Sequence, residues 1–193
     1  HWSTSKTPSY TKSVSWQHHP VIVIYNNIIK RMNAVARAWT DVVVQERQKN
    51  NVLPSLEKIA SGYEEYEATI MTQITRLRAD LKRLDAANMD FSALNDTRSH
   101  TTALLNGLYA VAENYPVLKA SDLYRGLMAE ISEQQQNISA AIRIFNRNVE
   151  DFNNGIEMFP HSLVNSLFNK KHKLATFKDT QAESGFEYSP DIH

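Results

Sequence analysis

Pairs of carboxylates at helical spacing are the residues of this chain that come nearest to a chemical site. Two such pairs occur, Glu64 with Glu67 and Glu130 with Glu133. A spacing of three places both carboxylates of a pair on one helix face. A di-iron centre in a helical bundle also needs a His three positions after a Glu, and this sequence has none at that spacing. We therefore interpret both pairs as solvated helix faces.

Other residue patterns that would indicate catalysis or metal binding do not occur in the sequence. The chain has no Cys, which excludes disulfides, thiolate catalysis and zinc ligation by Cys. It has no Walker loop, no Gly-x-Ser-x-Gly turn and no Gly-rich dinucleotide motif. The internal histidines are scattered, at His18, His19, His100, His161 and His172. We predict no catalytic residue, no cofactor and no metal site.

Asparagine directly after an aromatic residue recurs along the chain. It occurs in Tyr25-Asn26, Phe145-Asn146 and Phe152-Asn153. Asn is a poor helix former because its amide competes for backbone hydrogen bonds, so each position on a helix needs a reason. The favoured interpretation is a hydrogen bond to a neighbouring helix. The alternative is an amide that stays available to a partner.

Two other polar runs have structural interpretations. Gln134, Gln135 and Gln136 interrupt the apolar stripe of the last predicted helix, where a polar layer would set the register between helices. Lys170-Lys171-His172-Lys173 is the only dense basic run. We interpret it as a solvated tail, in preference to a contact with anionic lipid or nucleic acid.

The composition indicates a chain built from long helices. It has 193 residues, of which 42% are hydrophobic, with only 5 Gly and 6 Pro. So few helix breakers argue against a β-sandwich and against a Gly-rich nucleotide-binding fold. Because 21 Lys+Arg balance 21 Asp+Glu, no general attraction to nucleic acid or to an anionic surface is expected. The length suits one domain, or at most two small ones.

The last predicted helix has the clearest pattern. Apolar residues recur there at alternating steps of four and three, as one buried helix face requires, from Tyr124 to Phe159. Ser121 is a good N-cap and Pro160 stops the helix, so the prediction runs from about Ser121 to about Met158.

Three further apolar stripes predict three earlier helices. They cover about Tyr25–Glu46, Pro54–Leu84 and Thr97–Asn114. Gly62 is expected to interrupt the second helix only mildly, residues 88–96 are predicted to be a loop, and Pro116 is predicted to end the third helix.

Short connections between long helices make neighbours antiparallel, so we predict an all-α fold, an antiparallel up-and-down four-helix bundle with irregular N- and C-terminal tails. Residues 1–20 are assigned to a polar N-terminal extension, 21–160 to the bundle, and 161–193 to a C-terminal tail that packs on the bundle or extends from it. Aromatic residues of the two tails are expected to pack on exposed faces of the long last helix, namely Tyr10, Trp16, Phe168, Phe177 and Phe186.

Short motifs occur in a fixed order over roughly residues 25–177. In the N-terminal half they are Tyr25-Asn26-Asn27-Ile28-Ile29, Ala38-Trp39, Leu53-Pro54-Ser55-Leu56 and Gly62-Tyr63. In the C-terminal half they are Glu113-Asn114-Tyr115-Pro116-Val117-Leu118-Lys119-Ala120, Phe145-Asn146 and Phe152-Asn153 with Phe159-Pro160. These motifs, in this order, resemble those of the LemA family, with Phe where the family usually has Tyr. The candidate interaction residues are Tyr25, Asn26, Trp39, Pro54, Tyr115, Pro116, Phe145, Asn146, Phe152 and Asn153.

The resemblance implies a helical bundle behind a short N-terminal transmembrane anchor in a bacterial inner membrane, with the domain facing the cytoplasm and no established enzymatic activity. The sequence departs from that pattern, because residues 10–20 are polar where the family's apolar span would precede the Tyr-Asn motif. Residues 21–24 form the longest apolar run before the first stripe, far short of the roughly 20 residues that a span requires. The expected location is an inner membrane, through an anchor not present in this chain, or alternatively a soluble compartment.

Two functions stay open at this stage. The first is a non-catalytic, envelope-associated scaffold that binds a membrane-associated protein, with no nucleic-acid partner and with self-association as a further expectation. The second is a small-ligand binder or an enzyme, with a pocket at the end of the bundle near Tyr25, Asn26, Phe152, Asn153, Tyr115 and Pro116. The resemblance and the missing catalytic motifs favour the first function.

Overall fold

Helices make up every regular element in the computed structural model, which describes residues 20–158 and 161–178. They are α1 (Pro20–Arg47), α2 (Leu53–Ala60), α3 (Glu64–Arg83), α4 (Phe91–Asn114), α5 (Pro116–Lys119), α6 (Asp122–Glu157) and α7 (His161–Val164), with a 3₁₀ turn at Gln48–Asn51 and a π-helical turn at Asn165–Asn169. The predicted all-α fold is confirmed. Some predictions concern residues outside the described ranges, namely Tyr10, Trp16, Phe159, Pro160 and Phe186.

The long helices α1 and α6 run antiparallel along each other. Near the start of α1, Arg31 donates a hydrogen bond to the carbonyl of Asp151 at 2.8 Å. Just past its end, the carbonyl of Gln48 accepts a hydrogen bond from Gln134 at 3.3 Å. Later residues of α1 therefore contact earlier residues of α6, as antiparallel helices require.

Helices α3 and α4 form a second antiparallel pair. Arg83 at the end of α3 donates to Asp96 near the start of α4 at 2.8 Å. At the opposite end, Asn114 of α4 contacts the Tyr66 hydroxyl of α3. Together with the α1–α6 pair, this arrangement is compatible with an antiparallel four-helix bundle.

Trp39 joins the two helix pairs in the core. Its side chain is 1% exposed, and its ring lies 5.5 Å from that of Phe145 in α6 and 5.8 Å from that of Phe91 in α4. The indole N–H donates to the carbonyl of Asp85, between α3 and α4, at 2.8 Å. One aromatic side chain therefore contacts both pairs and has its single donor satisfied.

A charged layer, made by Glu46, Lys49 and Arg98, crosses the core near the end of α1. Lys49 Nζ donates to Glu46 at 2.6 Å and to the Thr101 hydroxyl at 2.9 Å. The Arg98 guanidinium lies 3.8 Å from Glu46 and donates to Ser139 of α6 at 3.1 Å. All three charged residues are buried. The layer therefore connects α1, α4 and α6 through polar contacts.

The predicted glutamine layer of α6 is only partly present. Gln134 and Gln135 are buried, and Gln134 bonds to the Gln48 carbonyl beside Lys49. Gln136 is exposed. The helical periodicity turns the third residue of the run towards solvent.

The prediction of one continuous second helix is wrong. Helix α2 ends at Ala60 and α3 begins at Glu64. Arg78 of α3 donates to Glu57 of α2 at 2.6 Å, although the two are 21 positions apart. In one straight helix they would be separated by about 31 Å. The chain therefore turns at Ser61–Tyr63, so that α2 packs on α3 and buries its apolar face.

Two predicted helix starts are also too late. Helix α4 begins at Phe91, inside the predicted loop over 88–96, because the Asp90 side chain accepts a hydrogen bond from the Ala93 N–H at 3.0 Å and caps the helix there. Helix α1 extends back to Pro20 and includes residues 21–24. No helix among the described residues has the length and apolar character that a membrane crossing requires.

The remaining helix boundaries agree with the prediction. The Ser121 hydroxyl accepts a hydrogen bond from the Tyr124 N–H at 3.2 Å and caps α6, whose C-cap is Met158. Helix α4 ends at Asn114, just before Pro116. Of the tail aromatics, Phe177 is buried as predicted, whereas Phe168 is 59% exposed, contrary to the prediction.

Candidate functional site

Two asparagines of α6 bind the backbone of the C-terminal segment. The Asn146 amide donates to the Phe177 carbonyl at 2.7 Å and accepts from the Phe177 N–H at 2.8 Å. Asn153 makes the same pair of bonds with Leu174, at 2.8 and 2.7 Å. We call Asn146 and Asn153 the Asn clamp. The predicted hydrogen-bonding role of these amides is thereby supported, but their partner is the tail and not a neighbouring helix.

The spacing of the clamp matches the spacing of an extended chain. Asn146 and Asn153 are seven positions apart, which is about 10.5 Å along one face of α6. Leu174 and Phe177 are three positions apart, which is about 9 Å in an extended segment with three residues per turn, where both positions lie on one side. Each amide can therefore meet the N–H and the C=O of one tail residue without distorting either element.

Apolar side chains of the tail lie against the bundle beside the clamp. Phe177 is buried, with its ring edge-on to Phe91 at 5.7 Å, and Phe91 in turn contacts Phe145 at 5.9 Å. Leu174 is partly buried against the same core. Three of the neighbouring tail side chains are exposed, namely those of Lys173, Ala175 and Lys178, and Thr176 is partly exposed.

A third asparagine, Asn165, fixes the turn that precedes the tail. The Asn165 amide donates to the Lys171 carbonyl at 2.8 Å and accepts from the Lys171 N–H at 2.9 Å. Lys170 between them has φ of 49°, in the left-handed region, and ends the π-helical turn. The turn therefore directs the following residues back along α6.

The ten candidate residues do not form one site. Trp39, Phe145 and Phe152 belong to the core, whereas Tyr25, Asn26, Pro54 and Pro116 are exposed on separate elements. Sequence reasoning singled out Asn146 and Asn153, whose amides bind the tail, but it missed Leu174. The sequence does offer a signal for a buried tail, since Leu174 and Phe177 are apolar residues three positions apart.

The predicted pocket at one end of the bundle is wrong. Tyr124 lies near Glu113, and therefore near Tyr115, whereas Phe152 lies at the other end of α6. Positions 124 and 152 are about 42 Å apart along this helix. The six residues proposed to line the pocket are consequently divided between opposite ends of the molecule.

Tyrosines cluster where α3 begins and α4 ends. The Tyr115 ring lies 4.6 Å from that of Tyr63 and 6.2 Å from that of Tyr66. Desolvation, and then the nearby Glu65 carboxylate, raise the pKa of the Tyr115 hydroxyl above its ordinary value. The Tyr115 hydroxyl is therefore protonated at neutral pH, as an ordinary tyrosine hydroxyl is.

An Asp–His pair was also missed from the sequence. His100 Nδ1 contacts the buried Asp80 carboxylate, and Arg83 beside it binds Asp96 at 2.8 Å. Asp80 lies on α3 and His100 on α4, so no short spacing in the sequence predicts the pair. No group of three or more His, Asp or Glu that could hold a metal occurs in the described part of the chain.

A cavity beside the charged layer is too small for an organic ligand. Its volume is about 10 Å³, which admits about one water molecule. It is lined by Lys49, Val52, Leu53, Leu56, Leu77, Thr101, Leu104, Leu105 and Ile131.

The end of the bundle where α1 begins carries exposed apolar side chains, which we call the end surface. Its members are Val23, Tyr25, Met158, Leu163, Leu167 and Phe168, each 40–61% exposed. Asn27 of α1 contacts His161 at 3.3 Å, and Asn169 donates to the Tyr25 carbonyl at 3.4 Å. These bonds hold α7 and the π-helical turn against α1.

The basic run follows directly after the end surface. Lys170, His172 and Lys173 are exposed, and Lys173 pairs with Glu157 at the end of α6. Lys30 is exposed on α1, near the same end. Apolar and cationic groups are therefore adjacent at this end of the molecule.

Comparison with known proteins agrees with the resemblance seen in the motifs. The sequence model of the LemA family matches residues 38–190, which include the last ten residues of α1, all of α6 and the tail. Protein LemA of Metamycoplasma hominis is 29% identical over 158 residues, covering 82% of this chain and 70% of that protein. No solved structure matches the chain significantly. The chain therefore belongs to the LemA family.

Proposed function

We propose that this protein is a non-catalytic scaffold that works at a bacterial membrane and binds another protein there. The observation that carries the proposal is the end surface with the basic run directly beside it. Exposed apolar patches rimmed by polar residues mark protein or membrane contacts in soluble domains.

The chemistry of this end suits an anionic lipid surface. Apolar side chains such as Leu167 and Phe168 gain free energy at the boundary between headgroups and acyl chains. Each Lys near an anionic leaflet adds about 1 kcal/mol of attraction. Because the chain has no net charge, this attraction is local and orients the molecule with the end surface towards the bilayer.

The direction of α1 agrees with this orientation. Helix α1 begins at the end surface, where Val23 and Tyr25 are exposed. An anchor of the kind that the family resemblance implies would join the bundle at the start of α1. It would hold the end surface against the headgroups and leave the long faces of α1 and α6 accessible to a protein partner.

Vesicle co-sedimentation tests the lipid contact. At about 0.1 M salt, the chain should bind phosphatidylcholine vesicles with about 30% phosphatidylglycerol about tenfold more tightly than pure phosphatidylcholine vesicles. The variant Leu167→Ser/Phe168→Ser should bind the anionic vesicles about tenfold more weakly than the unaltered chain, because it loses apolar area at the contact.

The matched control is Val44→Ser/Ile144→Ser, which removes two side chains of similar exposure, 50% and 51%, from the last turn of α1 and from the middle of α6, outside the end surface. This control should bind anionic vesicles like the unaltered chain. Equal loss in both double variants, or no vesicle binding by the unaltered chain, would contradict the proposal.

A further inference from the structure

We propose that the Asn clamp and the apolar groove beside it form a binding site for an extended segment of a partner protein, with apolar residues at two positions spaced by three. Residues 170–178 of this chain occupy the site as an internal competitor. The identity of the ligand as a protein segment rests on the scaffold role proposed above. The site is independent of the lipid contact.

The clamp recognises backbone and not side chains. Asn146 and Asn153 each bind the N–H and the C=O of one residue. Every residue except Pro offers that pair of groups. This is how exposed sheet edges bind extended peptides, where main-chain bonds give affinity and side-chain pockets give specificity. Any extended segment of suitable side chains can therefore replace Leu174 and Phe177.

Specificity would come from the two positions that face the bundle. The second position is filled by Phe177, which is 6% exposed and lies against Phe91. The first is filled by Leu174, which is only partly buried. The groove thus selects an aromatic residue at the second position and accepts a medium-sized apolar residue three positions before it.

The tail is suited to exchange because few of its side chains are buried. Of the six residues 173–178, three have exposed side chains and only Phe177 is buried. Segments held by few contacts near the end of a domain open at lower free energy than the core. Because the tail is tethered, its effective concentration at the groove is of the order of millimolar. A weakened tail should therefore uncover the site to a peptide in solution.

The test uses the full chain with a weakened tail, Leu174→Ser/Phe177→Ser, and a fluorescent peptide of residues 170–178 with the native sequence. Fluorescence anisotropy should show this variant binding the peptide about tenfold or more tightly than the unaltered chain does, because the internal competitor is removed. The same peptide N-methylated at Phe177 should bind the variant about tenfold more weakly, since it cannot donate to Asn146.

A clamp variant and its matched control identify the site. Adding Asn146→Ala/Asn153→Ala to the weakened-tail chain should abolish peptide binding. Adding Asn148→Ala should leave it unchanged, because the Asn148 amide bonds to the Ile144 carbonyl of its own helix. A weakened-tail chain that unfolds cooperatively yet binds no peptide would overturn the proposal.

If the weakened-tail chain does not fold, hydrogen exchange on the unaltered chain tests whether the tail leaves its site without global unfolding. The Leu174 and Phe177 amides should then exchange about a hundredfold faster than those of the buried part of α6, such as Ile142. Equal rates would show that the tail leaves only on global unfolding, and would equally overturn the proposal. Vesicle binding is measured separately, so failure here and failure of the lipid contact are distinguishable.

Discussion

At the scale of single residues, an asparagine side chain ends in a carbonyl oxygen that accepts and an NH2 group that donates, so it can make both kinds of hydrogen bond that a peptide unit makes. Asn146 and Asn153 use this likeness to hold an extended segment against a helix, and Asn165 uses it to close the preceding turn. Asn26 follows an aromatic residue in the same way but is exposed on α1. The same dipeptide pattern therefore serves different roles, according to what lies beside the helix.

This difference predicts unequal costs of truncation. Asn153→Ala should lower the free energy of unfolding by about 1–2 kcal/mol, because both hydrogen bonds to Leu174 are lost. Asn26→Ala should change it by less than about 0.5 kcal/mol, because the side chain is exposed and Ala favours the helix. Urea denaturation of both variants measures the comparison. Equal losses would indicate that Asn26 has a structural partner.

At the scale of elements, the interior glycines of α6 differ in what surrounds them. A Cβ added at Gly126 would meet nothing within 4 Å, whereas a Cβ at Gly155 would lie 2.8 Å from the Arg31 guanidinium. That guanidinium crosses the helix to donate to the Asp151 carbonyl. Gly155 therefore permits a close contact between α1 and α6, while Gly126 only weakens its helix.

The two glycines should respond differently to alanine. Gly126→Ala should raise the free energy of unfolding by about 0.5–1 kcal/mol, since Ala loses less backbone entropy in a helix. Gly155→Ala should be about 1 kcal/mol less stable than Gly126→Ala, because Arg31 must move away and give up its hydrogen bond. Thermal unfolding of the two variants side by side provides the measurement. A similar gain in both would mean that Arg31 shifts without cost.

At the scale of the whole molecule, the charged layer connects the two antiparallel helix pairs through polar contacts inside the core. Glu46 of α1 is 0% exposed and lies between Lys49 and Arg98 of α4. Buried ion pairs are weak sources of stability, because desolvation offsets most of their attraction. Their loss on one side is nevertheless costly, since the remaining charges stay buried.

This asymmetry can be measured with one single and one triple variant. Glu46→Met should lower the free energy of unfolding by about 3–5 kcal/mol, because Lys49 and Arg98 lose the carboxylate between them. Glu46→Met/Lys49→Met/Arg98→Met should be more stable than the single variant, because no charge then remains in the layer. A triple variant that is the less stable of the two in guanidinium denaturation would show instead that the layer stabilises the bundle.

The helices themselves could be predicted from local patterns. The stripe of α6 and its Ser121 cap determine that helix in advance, because both depend on residues within a few turns of each other. The early start of α4 at Phe91 was equally local and could have been found from the Asp90 cap. Neither boundary needs information from a distant part of the chain.

The turn between α2 and α3 and the Asn clamp were decided only by tertiary structure. Gly62 allows a bend but does not require one, and α2 turns back because its apolar face is buried against α3 and Glu57 meets Arg78. Asn146 and Asn153 are likewise separated in sequence from the tail residues that they bind. Periodicity and capping depend on neighbours within a few residues, so the sequence by itself determined the helices and the family. Contacts between distant residues depend on how the helices pack, so only the fold decided what the asparagines hold.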